Sequence, residues 1–209
     1  MKIGILLVGA SYGKSIGNNR FDRDWNLSKD NLKSHLIDCW PNDEVKVYTA
    51  TYDGPNVHEV NDFFQPIKST IIPFEGSHQR TTYIQALESL MCEDLDFIIA
   101  TRFDISFNDF VSNYKFDTDK LNFLFRDLEP HWTNTRYVGD CLYGFHKKYL
   151  PILIWAMHQE HVFNGWFMHG VYNRLIASGL PEDDVNFLFE GNHNSHDNPF
   201  YTLVRANIE

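Results

Sequence analysis

Thr101-Arg102-Phe103-Asp104 follows directly on the apolar run Phe97 to Ala100. An acid that emerges from a buried strand at the carboxyl edge of a sheet is placed to meet a ligand or a hard cation, because carboxylate oxygen is the donor that Mg²⁺ and Mn²⁺ prefer. The plainer reading is a surface ion pair, Arg102 with Asp104, that ends a strand. Gly9-Ala10-Ser11-Tyr12-Gly13-Lys14-Ser15 follows a second apolar run and is one residue short of the phosphate-binding pattern G-x-x-x-x-G-K-[ST]. That pattern also needs a helix to start at its lysine, with the helix N-terminus facing the phosphates, and Ile16-Gly17-Asn18-Asn19 starts a helix poorly. A phosphotransferase therefore stands as an alternative, and a glycine turn at a strand's carboxyl end is the simpler expectation. The turn still lies where α/β proteins place ligands. His193 and His196 share one polar loop. Trp132 and Trp166 fit acceptor platforms or, more simply, core.

These residues need elements to hold them. Lys2 to Val8, Val45 to Thr51, Ser69 to Phe74 and Leu95 to Thr101 are short apolar or β-branched runs closed by turn residues, and they read as strands. Between them, Leu32, Leu36, Ile37 and Trp40 share a helical face, with Ser28 as the expected N-cap and Leu27 with Leu32 as a hydrophobic staple. From His78 to Glu93, Ile84, Leu87, Leu90 and Met91 recur at three and four and predict a helix with one side on a sheet. Leu121 to Arg126 and Val138 to Phe145 read as further strands. Pro151 suits the first turn of a helix, and Phe163 to Ser178 reads as another before Gly179 and Pro181. Glu190 to Tyr201 is rich in Gly and Asn and reads as a loop. Alternating strands and helices predict an α/β domain with a mixed, mainly parallel central sheet flanked by helices, in the Rossmann-like manner.

The 209 residues suit one domain over 1–209, either whole or a piece of a longer protein. With 43% hydrophobic and 22% charged residues the chain is expected to fold. A formal charge of −10 argues against a partner that is nucleic acid. No apolar run approaches the ~18 residues that begin to suggest a membrane span, and the N-terminus reads as a strand, not a signal peptide. Cys39, Cys92 and Cys141 are odd in number and far apart, which argues for a reducing, cytoplasmic setting.

The order of elements, together with Asp96-Phe97-Ile98-Ile99-Ala100-Thr101-Arg102-Phe103-Asp104-Ile105 at the centre, resembles the GT-A glycosyltransferases over nearly the whole length. Within that family it is similar to the small glycosyltransferase domain found in chlorella viruses. The resemblance implies a GT-A-like fold, a UDP-sugar donor such as UDP-glucose or UDP-rhamnose, a glycan or glycoprotein acceptor, and a retaining transfer of a hexosyl or deoxyhexosyl group. It implies Mn²⁺ or Mg²⁺ at the Asp-x-Asp motif, of which only Asp104 is present, since Arg102 stands where the first acid would be. Asp94-Leu95-Asp96 has the spelling of the motif but precedes the strand. Carried over by position, Gly9, Ala10 and Ser11 would line uridine and ribose, and Tyr52 and Asp53 would lie near the base. Arg80 and Arg102 would face the nucleotide's diphosphate or ribose. Asp140 would act beside the sugar, and His196 or His193 would complete the metal site when the loop closes. Losing the first acid also leaves open a non-catalytic glycan-binding module.

Overall fold

A computed structural model describes residues 1–13, 23–73, 79–127, 136–159 and 168–204. Besides a short antiparallel pair, Tyr12–Gly13 with Arg23–Asp24, the strands are β1 (Lys2–Val8), β2 (Glu44–Tyr52), β3 (Lys68–Ile72), β4 (Phe97–Arg102), β5 (Ile105–Phe107), β6 (Leu121–Phe123), β7 (Arg126–Asp127), β8 (Leu142–His146), β9 (Val185–Phe187), β10 (Asn192–His193) and β11 (Tyr201–Leu203). The longer helices are α1 (Val57–Phe64), α2 (Gln79–Glu88), α3 (Leu150–His158) and α4 (Val171–Ala177). Seven strands form the main sheet in the order β9-β6-β8-β4-β1-β2-β3. β1, β2, β3 and β4 run parallel, β8 opposes both β4 and β6, and β9 is parallel to β6. The sheet is mixed and mainly parallel, as expected. Among the described residues no helix is long and apolar enough to cross a membrane.

β1 sits at the centre because both of its faces are apolar. Leu6 and Val8 pack with Tyr83 and Leu87 of α2, Leu153 of α3 and Leu175 of α4 in one core. Ile3, Ile5 and Leu7 pack on the other face with Trp25, Leu32, Leu36, and Val60 and Phe64 of α1. Each such side chain removed from water contributes roughly 1.5–3 kcal/mol, so burial on two faces fixes the strand's place. The register sets Val8 beside Ala50 and Arg102, and Leu142 beside Thr101. The carboxyl ends of β1, β2 and β4 and the amino end of β8 therefore meet at one edge. Gly144 in β8 lets the sheet accept Phe116, since a Cβ there would stand 2.3 Å from that ring.

Several local expectations are corrected. Ser28 does not cap with its side chain; its hydroxyl donates to the carbonyls of Phe103 and Trp25, and Asp24 caps the preceding turn by accepting from the Asn26 N–H. Leu27 is half exposed while Leu32 is buried. The helix predicted from His78 to Glu93 is α2, which ends at Glu88, after which Leu90 is buried and Met91 is exposed. The run Leu121 to Arg126 is split into β6 and β7, and β8 starts at Leu142, four residues later than expected. α1 and β9 carry too short a pattern to be read from sequence, and the tail expected as loop contributes β10 and β11. Lys14, Ser15, Trp132, Trp166 and the start of the helix expected at Phe163 lie outside the described residues.

Candidate functional site

Where the strand ends converge there is a cavity of about 160 Å³, lined by Val8, Gly9, Ala10, Tyr52, Gln79, Tyr83, Arg102 and Asp104. Each lining group is placed by the sheet. Gly9 leaves β1 with a φ of +110°, a backbone that favours glycine, and a Cβ there would meet nothing within 4 Å. Its N–H donates to the Ala50 carbonyl, which ties the turn to β2. Tyr52 ends β2 and its hydroxyl accepts from Thr82 Oγ1 at 2.8 Å. Gln79 and Tyr83 come from the first turns of α2.

Beneath one wall lies a buried chain of charged groups. Arg102 grips Asp104 with two bonds, Nε to Oδ1 at 2.8 Å and Nη2 to Oδ2 at 2.6 Å, the bidentate arrangement that planar guanidinium favours. Its third nitrogen, Nη1, reaches Asp140 Oδ2 at 3.3 Å. Gln79 Nε2 donates to the same Asp140 oxygen at 3.0 Å. On the far side of Asp140, His169 Nε2 stands 3.8 Å from Oδ1, an ion-pair separation too long for a direct hydrogen bond. His169 Nδ1 lies 2.7 Å from Asp127 Oδ2, and Ser195 Oγ donates to that Asp127 oxygen at 3.0 Å.

Burial pushes the Asp140 carboxyl up, but the Arg102 guanidinium, His169 and the bonds from Gln79 and the Cys141 thiol more than reverse this and hold it below the usual carboxylate range. Asp140 therefore stays ionised and is a poor proton acceptor. Burial likewise works against the charge on Arg102, and Asp104 with Asp140 override it, so Arg102 stays a cation. Tyr83 is fully buried, and its hydroxyl has no hydrogen-bond partner among the described residues. Burial first, and the nearby Asp140 charge second, push its phenol well above its ordinary range, so it stays neutral. An unsatisfied buried hydroxyl costs about 1–3 kcal/mol unless a water or ligand atom meets it.

The structure brings Gly9, Ala10, Tyr52, Arg102 and Asp104 to one cavity. Asp140 lies behind its wall, under Arg102 and Gln79, at the same edge. Ser11 is buried, and its hydroxyl accepts from Thr51 Oγ1 at 2.9 Å. Asp53 is exposed at the end of β2, and Arg80 is buried in the first turn of α2; neither lines the cavity. Asp96 accepts from the Lys2 N–H at 2.7 Å where β1 begins, which is the opposite edge. His193 Nε2 bonds the Glu190 carbonyl at 2.9 Å and its ring packs on Phe125 and Phe200, while His196 is exposed. The tail segment reaches the charged chain through Ser195, whose carbonyl in turn accepts from the Tyr201 hydroxyl at 2.7 Å.

Both oxygens of Asp104 are held by Arg102, and among the described residues no three His, Cys, Asp or Glu side chains converge as metal ligands. Arg102 brings a guanidinium to the lining of the cavity. Sequence reasoning missed Gln79, Tyr83, Asp127 and His169. Tyr83 could have been suspected from its place one helical turn beyond Gln79, but His169 and Asp127 carry no local pattern. No protein-family model matches the chain, and no curated protein matches it.

Proposed function

We propose that the protein is a glycosyltransferase of the GT-A kind, using a UDP-sugar as donor and a glycan hydroxyl as acceptor. The observation that carries this reading is the cavity at the carboxyl edge of a mainly parallel sheet, where the glycine turn after β1 faces Arg102 and Asp104 across the strand ends. Rossmann-like sheets bind nucleotides at this edge, and the Gly9 turn admits a ligand close to backbone. Arg102 supplies positive charge where the departing diphosphate gathers negative charge, an interaction that strengthens in the transition state. Asp140, held ionised, keeps Arg102 and Gln79 oriented and stabilises positive charge that builds at the anomeric carbon.

Thermal shift with UDP, UDP-glucose, UDP-rhamnose and ATP, each with and without Mn²⁺, tests the proposal. A shift with UDP and a UDP-sugar supports it. A shift with ATP alone moves the assignment to a phosphotransferase, and a shift with free glycans alone moves it to a binding module. With UDP, Asp104→Ala is expected to weaken binding because Arg102 loses the acid that fixes its guanidinium at the cavity edge, and Asp140→Asn is expected to lower kcat more than donor affinity. The Mn²⁺ arm decides whether an ion brought in with the diphosphate draws Asp104 away from Arg102.

A further inference from the structure

We infer that His169 is a positioning residue whose imidazolium, clamped between Asp127 and Asp140, holds Asp140 in place and so leaves Arg102 available to an anionic ligand in the cavity. The inference starts from counting charges along the buried chain. Arg102 is joined to two carboxylates, Asp104 and Asp140, and among the described residues no other guanidinium or ammonium group pairs with Asp140. Without a second cation Arg102 must neutralise Asp140 alone, and Asp140 then competes with any incoming phosphate for Nη1. His169 supplies that second cation from the opposite side of Asp140.

The geometry specifies its protonation. Nδ1 lies 2.7 Å from Asp127 Oδ2 and 3.1 Å from the Val138 carbonyl, two acceptors, so this nitrogen carries a proton. Nε2 faces the ionised Asp140, which favours a proton there as well. The His169 backbone is tied as well, since its carbonyl accepts the Val138 N–H at 2.9 Å. Among the described residues, besides Asp127 from β7 and Asp140 from the segment before β8, the titratable neighbour of the ring is Tyr137, with centroids 6.5 Å apart. Burial lowers the imidazole pKa, and the bond to Asp127 with the charges of Asp140 and Asp127 raises it above its ordinary value of 6.5. Ser195 is fastened to the same Asp127 oxygen, so the tail segment and the cavity wall are ends of one chain: Ser195, Asp127, His169, Asp140, Arg102.

The consequence for UDP rests on the reading proposed above; the link from His169 to Arg102 does not. Binding of an anion is expected to weaken as His169 loses its proton, by about tenfold for each 1.4 kcal/mol of coupling. The experiment combines NMR of the His169 ring and the Arg102 Nε–H across pH with calorimetry of UDP binding, in the wild type and in Asp127→Asn, His169→Asn and His169→Gln. Asn keeps a donor toward Asp127 but leaves nothing facing Asp140; Gln keeps a neutral donor facing Asp140. The expected result is that the Arg102 signal moves in step with the His169 titration and that Asp127→Asn lowers both midpoints together. UDP affinity should fall on raising pH through that midpoint in the wild type, stay low and flat in His169→Asn, and be intermediate in His169→Gln. An Arg102 signal that stays constant while His169 titrates overturns the inference, whatever UDP does. Signals that move together while UDP binds at no pH leave the inference standing and defeat the glycosyltransferase reading. If His169→Asn does not fold, the wild type and Asp127→Asn decide the matter alone.

Discussion

The two sides of the cavity are built by different physics. On the side of β1 and β2 the wall is backbone and neutral hydroxyls: Gly9 and Ala10 after β1, Tyr52 bonded to Thr82, and Ser11 bonded to Thr51 just behind. On the side of β4 and β8 the wall is a buried ionic chain that runs from Asp104 through Arg102, Asp140 and His169 to Asp127. Neutral walls shape a ligand's outline and cost little to desolvate. An ionic wall exists only while every member is paired, because a lone buried charge costs far more than a lone hydroxyl. The difference places affinity for shape on one side and response to charge on the other.

Removing Arg102 should break the ionic wall most completely. Arg102→Ala leaves Asp104 and Asp140 buried without their shared cation, and loss of one partner from such a set is expected to destabilise by about 3–5 kcal/mol. Urea denaturation measures it, and because the two acids can relieve themselves by taking up protons, the loss should be smaller at low pH. A loss below 1 kcal/mol at neutral pH would show that the wall is solvated in solution and not closed as described.

On the neutral side the largest available change is Gly9→Ala. The new methyl meets no atom, so the whole cost is the backbone at a φ of +110°, about 1–3 kcal/mol. That loss should be independent of pH, in contrast with Arg102→Ala. Parallel pH dependence in the two variants would erase the distinction between the walls.

The ionic side also sets a pH window for the wild type. His169 is raised above its ordinary value when folded, so its contribution is present in full below the unfolded imidazole pKa and is lost as pH rises through the folded value. Asp140 is lowered, so its contribution is present above the unfolded carboxyl pKa and is lost as pH falls through the folded value. Stability measured against pH should fall on both sides of a plateau, and Asp127→Asn should move the upper limit toward lower pH without moving the lower one.

How much of this was legible depends on whether the information was local. β1 and β4 were readable because a strand buried on two faces must be apolar throughout, and Gly9, Arg102 and Asp104 followed as the residues that end them. In sequence Arg102 reads as a departure from a metal motif; that its guanidinium binds both Asp104 and Asp140 depends on β8 lying antiparallel beside β4, with Leu142 opposite Thr101 and the Thr101 hydroxyl donating to the Cys141 carbonyl 40 residues away. His169 and Asp127 were not legible at all, since a histidine between two acids is made by three segments that share no pattern. The tail was expected to reach the site through His193 or His196. It reaches it through Ser195, because those rings are occupied elsewhere or exposed while a small hydroxyl fits against Asp127.

Tyr83 gives the smallest change in stability and a sharp test of where the walls meet. It stands in α2 one turn beyond Gln79, which serves the ionic side, and directly after Thr82, which serves the neutral side. Its ring is held by edge contact with Tyr143 at 5.9 Å, and that contact survives in Tyr83→Phe. Only the hydroxyl is lost, and it has no partner among the described residues, so the variant should be as stable as the wild type or more stable by up to about 1 kcal/mol. If the hydroxyl is the donor that meets a ligand oxygen, the same variant should bind UDP or a UDP-sugar less tightly, by roughly 0.5–1.5 kcal/mol, and calorimetry with each ligand shows which part of the donor it touches. A loss for the UDP-sugar but not for UDP assigns Tyr83 to the sugar, while equal loss for both assigns it to the nucleotide. If Tyr83→Phe gains stability and binds both ligands as the wild type does, the hydroxyl stays enclosed and meets no ligand atom, and recognition rests on the backbone of the Gly9 turn and on Arg102.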